Sequence, residues 1–220
     1  MGNKQNKFRV LDMTETFAMD DQAWNAGSFV GGSLCLDFAN TQGGRGKTRD
    51  QEHLPSYQAA VGWACASYTV SEDEGKALRA MAWQAPAEAA RSLEQLQLFR
   101  ECLYRLFSAL AANQETDLED EYCLRSAVAA AVDAARLERH PDGCNWKVYT
   151  DKAGLNTLLG RIALAAQQLL LSSEMTYLRE CERCSWLFID RSKNKRRRWC
   201  KTETCGNRAR AARHYQLMKA

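Results

Sequence analysis

The chain has 220 residues, of which 45% are hydrophobic and 26% charged, and its formal net charge is +3. This composition excludes a wholly disordered chain, and the length suits one domain with a small additional module. The first residues lack the apolar stretch of a signal peptide, and the most apolar run, residues 162–171, is about half the ~20 residues that a bilayer requires. We therefore expect a cytoplasmic protein with reduced thiols and no membrane partner.

Residues 1–27 are polar and aperiodic, which predicts a flexible N-terminal arm. Residues 28–175 predict a helical domain with little β structure, because apolar side chains recur at steps of three and four residues and the whole chain has only three prolines. The predicted helices are residues 56–68, residues 72–84, a long helix from Pro86, an Ala-rich helix from Asp117 to about His140, and an apolar helix over residues 155–170. Residues 145–150 alternate weakly and predict a short strand.

A glycine-rich stretch, residues 43–48, follows a short apolar run and is similar to the phosphate-binding loop of nucleotide hydrolases. Thr41, however, stands where that loop requires its first glycine. The chain also lacks the alternating strands and helices of such folds, and its three histidines are isolated in sequence. No arrangement of residues indicates a catalytic site, so we do not expect an enzyme.

Asp37, Asn40 and Thr41 lie at the end of that apolar run and have two interpretations. They could line a small-molecule pocket of a sensor domain. Alternatively, they cap a helix or form a buried hydrogen-bond network. The sequence leaves both interpretations open.

Four of the nine cysteines lie within 25 residues, as a pair separated by two residues and, fifteen residues later, a pair separated by four. This spacing predicts a tetrahedral zinc site formed by Cys181, Cys184, Cys200 and Cys205. Because all four ligands are thiolates, no coordination position stays open, and we expect one structural Zn²⁺. The other five cysteines lie mostly in apolar patterns and are expected to be small buried hydrophobes.

The residues around these cysteines predict the fold of a terminal module, residues 176–220. A knuckle is followed by a strand at residues 186–189, a returning antiparallel strand at residues 196–200 and a helix after Cys205. Knuckle, hairpin and helix in this order are typical of a treble-clef zinc finger. A module of this size has too little core to fold unaided, so zinc is expected to supply much of its stability.

Two short motifs add a family resemblance. Residues 205–208 spell CGNR after Trp199 and Cys200, and residues 36–41 read LDFANT. The first segment resembles the CGNR zinc-finger family, whose members join this finger to an N-terminal ABATE-type domain. The second is similar to the Leu-Asp-Phe-x-Asn-Thr signature of that domain. The resemblance implies a bacterial stress-response regulator of transcription, with zinc on the same four cysteines.

The charge of the chain divides at the start of this module. From residue 179 onward there are thirteen basic and four acidic residues, a net charge of +9, whereas the preceding residues carry −6. Such asymmetry indicates a polyanion partner, with a merely solubilising surface as the alternative. The predicted nucleic-acid-binding residues are Arg196, Arg197, Arg198, Lys201, Arg208, Arg210 and Arg213. Guanidinium groups match phosphate geometry, so backbone contacts are expected.

Two side chains of the module keep alternative roles. Trp199 could stack on a base or pack over the zinc site, and Arg208 could reach DNA or bond back into the finger. Taken together, the sequence predicts a transcription regulator whose finger binds DNA and whose helical domain senses a small-molecule effector or forms a homodimer. The alternatives are an RNA-binding protein and a protein–protein adaptor with a purely structural finger.

Overall fold

The computed structural model describes residues 24–141 and 143–219, so most of the predicted arm, residues 1–23, lies outside the described residues. The helices are α1 (Leu34–Ala39), α2 (Tyr57–Ala66), α3 (Glu72–Gln84), α4 (Pro86–Ala111), α5 (Leu118–Asp133), α6 (Thr150–Ala153), α7 (Thr157–Leu170) and α8 (Asn207–Leu217). Three two-stranded antiparallel sheets pair β1 (Gln42–Gly43) with β2 (Gln51–Glu52), β3 (Ala135–His140) with β4 (Gly143–Val148), and β5 (Leu178–Glu180) with β6 (Leu187–Ile189). The predicted class, mainly α with minor β structure, is confirmed.

Helix α4 lies at the centre of the core and contacts α1, α2, α3, α5 and α7. It begins at Pro86 as predicted, where the missing N–H of proline leaves no unpaired donor. Its buried apolar face includes Leu96, Phe99, Leu103, Leu106 and Phe107. Within the described ranges, no helix is both long and apolar enough to cross a membrane.

Helices α3 and α5 each start directly after a residue whose side chain caps them. Ser71 and Glu74 form a capping box, in which the hydroxyl accepts the Glu74 N–H and the carboxylate accepts the Ser71 N–H. At the start of α5, the carboxylate of Asp117, the residue from which this helix was predicted to run, accepts the Glu119 N–H at 2.7 Å. These bonds satisfy N–H groups that have no partner within the helix.

The Ala-rich helix is shorter than predicted, since α5 ends at Asp133 rather than near His140. The residues that follow form β3, which pairs with β4 and sets Leu137 opposite Trp146. Cross-strand pairing therefore overrides the helix propensity of this segment. The short strand predicted over residues 145–150 overlaps β4.

Strand β6 joins the C-terminal module to the core of the helical body. Leu178, Leu187 and Ile189 are buried in the same hydrophobic cluster as the helices. Asn40, at the end of α1, donates from Nδ2 to the Leu187 carbonyl and accepts the Leu187 N–H at Oδ1, both at 2.8 Å. The Gly31 carbonyl accepts the Ile189 N–H at 2.8 Å. The β5–β6 hairpin of the finger thus belongs to the core of the body, whereas the four cysteines and Phe188 form a second, smaller cluster.

The described fold starts before residue 28, where the helical domain was predicted to begin. Trp24 packs against the core, with its ring centroid 6.2 Å from that of Phe29. The Gly27 carbonyl accepts a hydrogen bond from Lys201 of the finger. Residues 24–27 of the predicted flexible arm are therefore held by both the body and the finger.

Only two of the five cysteines outside the cluster are fully buried. Cys35 and Cys102 are buried as predicted, and Cys65 and Cys123 are half-buried. Cys144 is exposed, because it lies near the tip of the β3–β4 hairpin, which is open to solvent.

Replacing Asn40 with alanine tests the junction between body and finger. It removes two hydrogen bonds and leaves the buried N–H and C=O of Leu187 without their partner, so we expect the free energy of unfolding to fall by about 2–4 kcal/mol. Urea unfolding of the zinc-loaded protein measures this change. The exposed Asn194→Ala variant is the control and should change stability by less than about 0.5 kcal/mol. Equal losses in the two variants would contradict the structural role of Asn40.

Candidate metal centre and basic surface

The four predicted zinc ligands converge on one point. Their Sγ atoms all lie within 4.8 Å of one another, and each cysteine is at most 2% exposed. Cys184 and Cys200 have their sulfurs 3.7 Å apart, and Cys205 Sγ is 3.6 Å from each of them. Sulfurs bound to zinc at ~2.3 Å in a tetrahedron are separated by about 3.8 Å, so the spacing fits one structural Zn²⁺ with four thiolate ligands.

The first ligand pair lies in a knuckle between β5 and β6. The Cys181 N–H donates to the Trp186 carbonyl at 2.8 Å and closes the turn, after which β6 sets Leu187 opposite Glu180. The predicted hairpin is therefore wrong in its second strand, because β6 pairs with β5 and not with residues 196–200.

A buried carboxylate explains why residues 196–200 do not form a strand. Asp190 accepts the N–H of Ser192 at 2.9 Å and that of Arg197 at 2.8 Å, which folds the intervening residues into a loop. Burial alone would raise the pKa of Asp190, but these hydrogen bonds outweigh it and hold that pKa below its ordinary value. The loop then brings Cys200 back to the first ligand pair.

Each residue of the CGNR motif has a distinct contact. Cys205 supplies a thiolate from a π-type turn, Thr202–Gly206, that leads into α8. A Cβ on Gly206 would lie only 3.3 Å from the Trp199 ring, so glycine leaves room for the indole to pack over the cluster. Asn207 donates to a carbonyl of the turn at 2.9 Å. Arg208 donates from Nη2 to Cys205 Sγ at 2.9 Å, which is the inward alternative for this side chain.

Three of the seven predicted nucleic-acid-binding residues are half-buried, and their charged groups form hydrogen bonds within the protein. Arg197 donates to the Trp199 carbonyl at 2.8 Å and lies over the Phe188 ring at 4.6 Å. Lys201 donates to the Gly27 carbonyl, and Arg208 is bound to Cys205 as described. Their charges are directed into the fold, so their replacement would disturb the finger itself.

The remaining four residues are exposed. Arg198 pairs with Glu182 through two hydrogen bonds of 2.6 and 2.5 Å. Arg196, Arg210 and Arg213 take part in none of the ion pairs found within the described part of the chain, and Arg210 only donates to Asn207 at 3.2 Å. These three arginines form the available basic surface of the module.

The three residues of the predicted pocket make hydrogen bonds within the protein. Asp37 Oδ1 accepts the Gly31 N–H at 2.7 Å, and both polar atoms of the Asn40 amide bind β6. The Thr41 hydroxyl donates to the Phe38 carbonyl at 2.7 Å and accepts from Arg100 at 3.3 Å. These contacts favour the buried hydrogen-bond network over a ligand pocket.

The glycine-rich loop, residues 43–49, has a role that sequence reasoning missed. A Cβ on Gly43 would lie 2.5 Å from Trp186 Nε1, so glycine is required where the loop meets the knuckle. The Arg45 carbonyl accepts from Arg208 Nη1 at 3.1 Å, and Lys47 Nζ donates to the Cys181 carbonyl at 2.6 Å. As in a phosphate-binding loop, the glycines allow the backbone to come close to its partner. Here the partner is the finger and not a phosphate group.

Two family models match the chain, one over the helical body and one over the finger. A family model named ABATE and described as "Putative stress-induced transcription regulator" matches residues 32–173. A second, the CGNR zinc finger, matches residues 177–216. Neither description names an enzymatic activity, and no curated protein matches the chain.

Zinc content tests the metal centre directly. We expect about one zinc per purified chain, and its loss from Cys181→Ser, because three thiolates no longer complete the site. Metal analysis and thermal melting measure the two effects. Cys144→Ser, which alters an exposed cysteine, should keep both the metal and the melting temperature. Metal-free protein with an unchanged far-UV spectrum and melting temperature would contradict the assignment of a structural zinc site.

The stability of the body should respond to the ionisation of Asp37. Burial raises the pKa of this carboxyl to about 6 from an ordinary value of 3.8, despite hydrogen bonds from Gly31 and Val30. The folded state therefore binds the proton more tightly than the unfolded state, and this group lowers stability as the pH rises from about 4 to 6. Asp37→Asn should gain stability relative to wild type between pH 4 and pH 7 in urea unfolding. A pH-independent difference would contradict this.

Proposed function

The chain belongs to the ABATE family and carries a CGNR zinc finger, and we propose that it is a cytoplasmic transcription regulator whose finger binds duplex DNA. The family description supports a role in transcription. The observation that carries DNA binding is the set of exposed arginines without an ion-pair partner in the described structure, Arg196, Arg210 and Arg213.

The zinc ion has a structural part in this proposal. When bound by Cys181, Cys184, Cys200 and Cys205, it cross-links the knuckle to the turn that precedes α8. The cross-link fixes the direction in which α8 leaves the body. Arg210 and Arg213 are three residues apart on that helix and lie on one exposed face. The position of this face relative to the body is then fixed.

Phosphate is the expected target of this face. Guanidinium groups bind phosphate oxygens through paired N–H donors, and such contacts position a protein on the duplex whatever its sequence. Arginine can also read guanine in the major groove, so α8 could contribute base contacts once it is positioned. RNA shares the phosphate chemistry, and competition between RNA and duplex DNA separates the two.

The helical body would supply the regulatory input. A mostly apolar cleft of about 310 Å³ opens between α4, α5 and α7. It is lined by Leu106, Leu124, Val128 and Leu170, together with Glu121, Arg125 and Gln167. A cleft of this size and composition suits a small apolar effector. Because Asp37, Asn40 and Thr41 bond within the protein, this cleft is a better location for an effector than the pocket predicted from the sequence.

One observation favours the adaptor as a second candidate. The end of α8 exposes Tyr215 and Leu217, followed by Met218, with 70–76% of each side chain open to solvent. Exposed apolar groups together mark protein-binding surfaces. A protein partner held by these groups would bind with little dependence on salt, unlike DNA.

Salt-dependent DNA binding tests the proposal. We expect the zinc-loaded protein to bind duplex DNA at low salt, and the double change Arg210→Gln and Arg213→Gln to weaken binding and reduce the salt slope by about 2, one for each lost phosphate contact. A double change of exposed body arginines, Arg91→Gln and Arg139→Gln, is the control. Absence of wild-type binding, or equal weakening by the control, would refute it.

A further inference from the structure

The metal centre poses a problem of charge. Four thiolates around Zn²⁺ leave a formal double negative charge, and the cysteines that carry it are at most 2% exposed. Buried charge is costly unless cations or hydrogen-bond donors lie close to it. In the described structure, Arg208 from α8 donates to a ligand sulfur, and Lys47 from the body donates to the backbone carbonyl of the ligand residue Cys181.

Arg208 makes the closer contact of the two. Its Nη2 donates to Cys205 Sγ at 2.9 Å, while Nη1 of the same guanidinium donates to the Arg45 carbonyl at 3.1 Å. One planar fork therefore joins a metal ligand to the loop of residues 43–49. A side chain with a single donor group cannot make both bonds in this geometry.

Lys47 approaches the opposite ligand pair from the same loop. Its Nζ lies 2.6 Å from the Cys181 carbonyl and 2.5 Å from a carboxylate oxygen of Glu180. Glu180 also accepts from Ser108 of α4 at 2.5 Å, which ties this contact to the core of the body. The carboxylate cancels part of the lysine charge, so Lys47 should contribute less than Arg208.

We infer that Arg208 and Lys47 couple zinc binding to the docking of the glycine-rich loop on the finger, so that each stabilises the other. Lys47 reaches the ligand residue Cys181 only when the loop is docked, and only then does Arg208 have its second partner, the Arg45 carbonyl. The docked loop in turn keeps these partners only when the thiolates are gathered around the metal. Because such linkage is reciprocal, the body raises the zinc affinity of the finger by the same factor with which zinc stabilises docking. Loss of zinc would release the loop from the finger.

The zinc affinity of matched variants tests this coupling. We expect Arg208→Gln to bind zinc about 10- to 100-fold more weakly than wild type in competition with a chelator, as for other groups that support metal ligands. Arg213→Gln is the control, since it removes an equal charge from an exposed position of the same helix and should stay within about twofold of wild type. Lys47→Gln should weaken zinc binding by about two- to tenfold, against Lys193→Gln as its control.

Hydrogen exchange of the loop provides the second measurement. At saturating zinc, amides of residues 43–49 should exchange slowly in wild type and in both controls, and faster in Arg208→Gln and Lys47→Gln. Chelation of zinc should accelerate the same amides in wild type. Zinc affinity and loop exchange that match the controls in both variants would overturn the inference. If Arg208→Gln does not fold, the results for Lys47→Gln alone decide. Neither measurement involves DNA, so both are independent of the proposed DNA binding.

Discussion

Four sulfur atoms must occupy the corners of one tetrahedron, and the rest of the finger is arranged to meet this requirement. The knuckle after β5 presents Cys181 and Cys184, the loop ordered by Asp190 returns Cys200, and the turn before α8 presents Cys205. Around the sulfurs the module has one fully buried aromatic ring, that of Phe188. A core this small cannot fix three segments by burial alone, so the metal does.

The ligand set could be predicted from the sequence because cysteine spacing directly reports coordination. The starts of α3 and α5 could be predicted for a similar reason, since capping acts between residues three or fewer positions apart, and the start of α4 is marked by Pro86 at its first position. The partner of β6 and the existence of β3 could not. Both depend on pairing with a segment that local propensity does not identify.

The destinations of the basic side chains were the least predictable part of the site. Arg196 and Arg197 are adjacent in the same basic run, yet one is exposed and the other lies over Phe188. Within the motif itself, Arg208 turns back to Cys205, whereas Arg210 remains at the surface. Arginine is long enough to reach either direction, so only the surrounding fold decides which cations remain available to a polyanion.

The hydrogen bonds of Asn40 have a consequence for association between molecules. A two-stranded sheet leaves unpaired backbone groups along its outer side, and such groups can recruit a strand from another chain. In β6 the outward N–H and C=O of Leu187 are taken by an asparagine side chain, and the N–H of Ile189 by Gly31. The amide acts as a one-residue substitute for a third strand. These three groups of β6 are therefore not available to a strand of another chain, with which cross-β aggregation could begin, even though β6 is short and apolar.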